Sequence, residues 1–130
     1  MNPQVSAITL GVKDLNRAKQ FYSEGLGCPI QQDQGGFVSF SLGNGTSGLT
    51  LYTWGALAAD AGVAADGSGF RGFTLNYIVP STERVNEVLA QAKRAGGKIV
   101  KAGQRAQWSG YFGYFSDPEG FLWKVASSAG

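Results

Sequence analysis

Residues 37–42 (FVSFSL) alternate large apolar and small polar side chains with a period of two, the mark of a half-buried strand. Residues 5–12 (VSAITLGV) carry the β-branched bias of another strand, and between the two the period changes. Leu15, Ala18, Phe21, Tyr22 and Leu26 recur at helical spacing behind Asp14, a side chain suited to cap a helix. Gly25 or Gly27, with Pro29 just beyond, ends that helix. A short strand near residues 30–32, then an Asn44-Gly45 turn leading into a strand over residues 48–53, completes the order β-α-β-β-β.

Residues 55–69 (GALAADAGVAADGSG) interrupt the pattern with small and polar side chains, and read as a linker with a short helix over 56–61. The pattern then starts again. A strand over residues 70–79 leads to Pro80-Ser81, which opens a helix with Val85, Val88, Leu89 and Ala92 on one face and Gly96-Gly97 at its end. A strand over 98–101 follows, and then a hairpin whose strands, 111–116 and 121–125, flank Asp117-Pro118-Glu119-Gly120. Proline presets φ for the first half of that turn and glycine supplies the positive φ of the second. Thr9-Leu10 is echoed by Thr74-Leu75, an internal repeat of about 65 residues. The expected organisation is one domain, residues 1–130, with module one over 1–54, a linker over 55–69 and module two over 70–130. Each module would lay a helix on one face of a four-stranded sheet and leave the other face open, so that two paired modules cup a cavity.

The composition narrows the chemistry. A chain of 130 residues with 43% apolar content has the size and core of one domain. The net charge is +2 and the basic residues are scattered, so no stripe suited to nucleic acid is expected. The apolar runs fall far short of the ~20 residues a membrane helix needs, and the opening MNPQVSAITL lacks the pattern of a secretory leader, so a cytoplasmic protein is expected. One cysteine, Cys28, precludes an intrachain disulfide. The absence of histidine removes Ser-His and Cys-His catalysis, histidine general bases and the commonest transition-metal ligand.

In the hairpin, alternation puts Phe112 and Tyr114 on one face of its first strand and Leu122, Lys124 and Ala126 on one face of its second. A lysine therefore stands mid-strand among large apolar neighbours. It is an inward anion anchor, a salt-bridge partner or a surface lysine, according to the register.

Four stretches, AITLGVKDLNRAKQFYSEGLG, GFTLNYIV, AKRAGGKIV and SDPEGFLWKV, make the chain resemble the vicinal-oxygen-chelate superfamily. That superfamily holds glyoxalase I, the extradiol dioxygenases, the fosfomycin-resistance enzymes and the bleomycin-resistance binding proteins. The resemblance implies an α+β fold of two βαβββ modules forming an incomplete eight-stranded barrel around a cavity, usually in a homodimer. It also implies four inward metal-ligand positions, which fall on Ala7, on Leu49 or its neighbour Thr50, on Phe73 and on Lys124. Alanine, leucine and phenylalanine offer no donor atom and lysine offers a cation, so neither a metal nor another cofactor is expected. Thr9 matches a threonine that assists catalysis in fosfomycin-resistance relatives, and Tyr114 a ligand-facing tyrosine of the same relatives.

A cup lined by Ala7, Leu49, Phe73, Phe112, Tyr114, Leu122 and Lys124 suits a flat aromatic molecule whose oxyanion meets the lysine, with Trp108 and Tyr111 closing the rim. Trp54 is assigned to the core or a dimer interface. The expected function is non-catalytic: a homodimer resembling the bleomycin-resistance branch that sequesters an aromatic natural product or antibiotic, with Leu49, Phe73, Trp108, Tyr111, Phe112, Tyr114 and Lys124 as ligand-binding residues. The alternative is a metal-free isomerase, lyase or cyclase acting on a polyketide-like substrate with Lys124 and Tyr114 as acid and base. A third reading is a structural remnant whose cup has filled. No nucleic-acid or membrane partner is expected.

Overall fold

The computed structural model describes residues 4–107 and 109–128. It divides into two compact units, Met1–Gly67 and Ser68–Gly130.

In the first unit, β1 (Ala7–Val12) is followed by α1 (Leu15–Gln20), β2 (Ile30–Asp33), β3 (Phe37–Phe40), β4 (Gly48–Thr53) and α2 (Trp54–Ala61). The strands form one sheet in the order β1-β4-β3-β2, with β1 parallel to β4 and the other pairs antiparallel. Asp14 caps α1 by accepting a 3.0 Å hydrogen bond from the Arg17 N–H. Beyond Gln20 the helix widens into a π turn, Phe21–Gly25, where the Ser23 hydroxyl donates to the Lys19 carbonyl. Phe21 and Tyr22 are buried, and the Tyr22 ring lies 5.9 Å from that of Phe40. That contact fixes the faces of the sheet: Phe40, its cross-strand partner Leu49, and Leu10, Val12, Val38 and Leu51 face α1, while Thr9, Phe37, Thr50 and Tyr52 face the other way.

The second unit repeats the topology. Its elements are β5 (Leu75–Ile78), α3 (Thr82–Arg94), β6 (Lys98–Arg105), β7 (Tyr111–Ser116) and β8 (Leu122–Ser127), in the sheet order β5-β8-β7-β6. Ser81 caps α3 through the Arg84 N–H at 3.1 Å, and Val85, Val88, Leu89 and Ala92 are its buried face. A Cβ on Gly113 would lie only 2.6 Å from Leu89 Cδ1, so Gly113 and its partner Val125 mark the face that α3 covers. Phe115 and Trp123 stack on that face, 4° from parallel. The described strands thus form two four-stranded sheets, with three α-helices and no closed barrel, the α+β arrangement expected of two βαβββ modules. No helix among the described residues is long and apolar enough to cross a membrane.

Two boundaries differ from the sequence reading. The strand expected over 70–79 is only Leu75–Ile78, because Gly72 takes φ 84° and Arg71 and Phe73 pack on the Phe121 ring instead. The strand expected over 98–101 runs on to Arg105, its polar residues held by pairing with β7 across two register shifts.

Asp117, 3% exposed, organises the hairpin turn: its Oδ1 accepts from the Glu119 and Phe121 N–H groups, each at 2.9 Å, while Gly120 takes φ 93°. A hydrogen bond to a charged acceptor is worth about 1.5–3 kcal/mol, so Asp117→Ala should lose at least one such increment in urea unfolding. Asp117→Asn keeps an oxygen acceptor and should lose less than half as much. An unfolding midpoint for Asp117→Ala equal to that of the unsubstituted protein would contradict this account of the turn.

Candidate ligand-binding site

The open face of the second sheet is set by its register. Asn76 pairs with Lys124, Lys124 with Tyr114 and Tyr114 with Lys101, so these four side chains form one row across all four strands. Ile78, Ala126, Phe112 and Gln104 form the next row by the same pairing. Lys124 Nζ stands 5.0 Å and Lys101 Nζ 5.3 Å from the centre of the Phe112 ring, which meets Tyr114 edge to face at 6.1 Å and 87°. Neither row contains a carboxylate. Two ammonium groups and a phenol around an aromatic surface can hold an oxyanion by charge-assisted hydrogen bonds and a flat ring by stacking.

Phe112, Tyr114 and Lys124 thus share a face, as their spacing implies. Tyr111 belongs to the opposite face, where its hydroxyl donates to Asn86 Oδ1 of α3 at 3.0 Å. Phe73, 40% exposed, turns to Phe121, its ring 6.1 Å away, and not to the row of Lys124. The neighbouring Thr74 lies on that face instead, donating from Oγ1 to Asn76 Oδ1 at 3.1 Å. Counting back in steps of two from buried Val79 assigns Phe73 to the covered face and would have found the shift.

In the first unit, Leu49 is 2% exposed on the side of α1, and the adjacent Thr50, 9% exposed, takes the open-face position. Ala7 pairs with Gly48 at the exposed start of β1. Trp54 begins α2, donates from Nε1 to the Ala65 carbonyl at 2.8 Å and carries Lys13 Nζ 5.2 Å over its ring. Trp108 lies outside the described residues. Lys101 and Asn76 escaped the sequence reading because their strands are short or polar and show no alternation.

A cavity of about 500 Å³ opens on the first sheet, floored by Thr9, Thr50 and Tyr52 and walled by Phe37, Gln34 and the α2 residues Leu57 and Asp60. Gly11 lets α2 close on the sheet, since a Cβ there would meet Leu57 Cδ2 at 3.3 Å. Asp33, which precedes the lining residue Gln34 in the chain, is hydrogen-bonded to Lys19, which holds its carboxyl below the usual range.

The resemblance assigns metal ligands to Ala7, to Leu49 or Thr50, to Phe73 and to Lys124; Ala7, Thr50 and Lys124 hold open-face positions, and Thr74 holds the one that Phe73 leaves. A methyl group, two hydroxyls and an ammonium do not make a transition-metal ligand set. Among the described residues, no group of three Cys, Asp or Glu side chains supplies a substitute.

The sequence profile of the Glyoxalase/Bleomycin resistance protein/Dioxygenase superfamily matches residues 4–125, and the chain belongs to that superfamily. No curated protein matches its sequence. Among solved structures, a glyoxalase-related enzyme from Fulvimarina pelagi is 28% identical, with a TM-score of 0.85 over 95% of this chain and 87% of its own. A glyoxalase/bleomycin resistance protein/dioxygenase family enzyme from Burkholderia phytofirmans PsJN is 20% identical, with a TM-score of 0.85 over 97% and 99% of the two chains. The lactoylglutathione lyase from Agrobacterium tumefaciens is also 20% identical, with a TM-score of 0.73 over 98% and 96%. The last two likenesses concern the fold alone.

Cys28 is half-buried, and burial raises its thiol pKa above the ordinary value. The folded protein should therefore react with a thiol-specific disulfide reagent at pH 8 much more slowly than the urea-unfolded chain. Equal rates would contradict this account, and a faster rate in the folded protein would mark Cys28 as an activated nucleophile.

Proposed function

We propose that this protein is a non-catalytic small-molecule binder, acting as a cytoplasmic homodimer, that sequesters an aromatic natural product or antibiotic bearing an oxyanion. The observation that carries this reading is the row Asn76, Lys124, Tyr114 and Lys101 beside Phe112: cations and rings stand on the sheet face to which the resemblance assigns a metal ligand. An aromatic ligand would gain about 25 cal/mol per Å² of apolar surface removed from water, less the cost of association. Its carboxylate or phenolate would meet Lys124. Exposed Tyr77 and Ile78, the latter 69% exposed, on the edge strand β5 support a partner along that edge, which a second copy of the chain would supply.

One observation favours a second reading. Lys124 and Tyr114 are direct cross-strand partners, close enough to serve as the acid–base pair of a metal-free isomerase, lyase or cyclase on a polyketide-like substrate.

Native mass spectrometry against a panel of hydroxylated aromatic acids, with EDTA present, tests both readings and the oligomeric state. The expected result is a ligand bound unchanged to a dimer, with Lys124→Met and Phe112→Leu each weakening retention at least about fivefold, within the range of a lost charge-assisted or cation–π contact. Release of a ligand of altered mass or isomeric form, abolished in Lys124→Met, would favour the enzyme. Undiminished binding in both variants would remove this face from either role.

A further inference from the structure

The connection between β3 and β4 carries a reactive pair of residues that neither sheet face uses. Its two ends are pinned: the Ser41 N–H donates to the Pro29 carbonyl at 2.9 Å and the Ser47 hydroxyl to the Val5 carbonyl at 2.6 Å. Across the tip only Thr46 is tied, its N–H and its hydroxyl both donating to the Gly43 carbonyl, at 3.3 and 2.8 Å. Asn44 and Gly45, between them, are exposed. Among the described residues, none bonds to the Asn44 side chain or to the Gly45 N–H. Gly45 takes φ 80°, and a Cβ built there would meet no atom within 4 Å.

We infer that Asn44 is a site of spontaneous covalent modification, where the turn converts its own side-chain amide into an acid. The Gly45 backbone nitrogen, losing its proton to solvent base, attacks Cγ of Asn44. An N–C bond forms, the Cγ–Nδ2 bond breaks, and ammonia leaves with the proton that the Gly45 nitrogen gave up through solvent, so that a cyclic imide remains. Water then opens the imide at either carbonyl, leaving aspartate or isoaspartate. Two features of the tip favour the attack: glycine has no Cβ to shield its nitrogen, and Gly43 and Gly45 let the backbone rotate until that nitrogen meets Cγ. The other described asparagines have neither. Asn16 precedes Arg17 within α1, Asn76 precedes Tyr77 in β5 and accepts from the Thr74 hydroxyl, and Asn86 precedes Glu87 in α3 and accepts from the Tyr111 hydroxyl. Each conversion adds one negative charge to an exposed turn.

Incubation of the intact folded protein in mildly alkaline buffer, followed by cation-exchange chromatography and peptide mass mapping, tests this. A more acidic species should form, with its amide-to-acid conversion at Asn44 and not at Asn16, Asn76 or Asn86, in both aspartate and isoaspartate forms. Exposed loop tips open at almost no free-energy cost, so the folded protein should react within about fivefold of the rate of the guanidinium-unfolded chain. Asn44→Gln, whose longer side chain would have to close a larger ring, should abolish the acidic species while keeping an exposed amide in the turn. No acidic species from the folded protein, conversion at Asn16, Asn76 or Asn86 at an equal rate, or an acidic species persisting in Asn44→Gln would each overturn the inference.

Discussion

Packing a single helix against one face of a four-stranded sheet commits the alternate residues of every strand to the opposite face. In the first unit Tyr22 on Phe40 sets that choice, and in the second Leu89 against Gly113 does. A slip of one residue would bury Lys124 under α3 and expose Val125, so the hydrophobic contacts of the helices fix the position of the site residues without touching them. The chemistry of both open faces is therefore a consequence of core packing.

On that frame the superfamily fold is kept while the side chains at the ligand positions are exchanged. An alanine and a lysine stand at two of those positions and threonines at or beside the other two, and the second sheet gathers cations about Phe112. The first sheet gathers rings and a carboxylate under α2. The two faces thus differ in sign although their topologies are the same. The fold supplies a scaffold on which binding chemistry is set by a few outward residues per strand.

Much of this was legible in the sequence. The helix caps, the Gly-terminated helices and the DPEG turn encode element order locally, and the repeat of that order pointed to two modules. Period two alone put Phe112 with Tyr114 and Leu122 with Lys124, and the hairpin register then joined the two sets on one face. The errors came where local signals are weak. Phe73 is large and apolar beside a strand, yet the positive φ of Gly72 and the attraction of the Phe121 ring turn it away. Leu49 and Thr50 are neighbours in a strand whose residues 49 to 51 are all buried, so burial pattern could not choose between them, and only the pairing with Phe40 did. Lys101 sits in a polar run whose strand character comes from pairing with β7.

The central claim is that the open-face residues at and beside the assigned ligand positions, Ala7, Thr50, Thr74 and Lys124, do not make a metal-ligand set. Paramagnetic broadening by Mn²⁺ tests it residue by residue, because amide signals near a bound ion disappear at substoichiometric metal. The account predicts no selective, saturable loss at Thr50, Thr74 or Lys124; broadening centred on those three amides would contradict it.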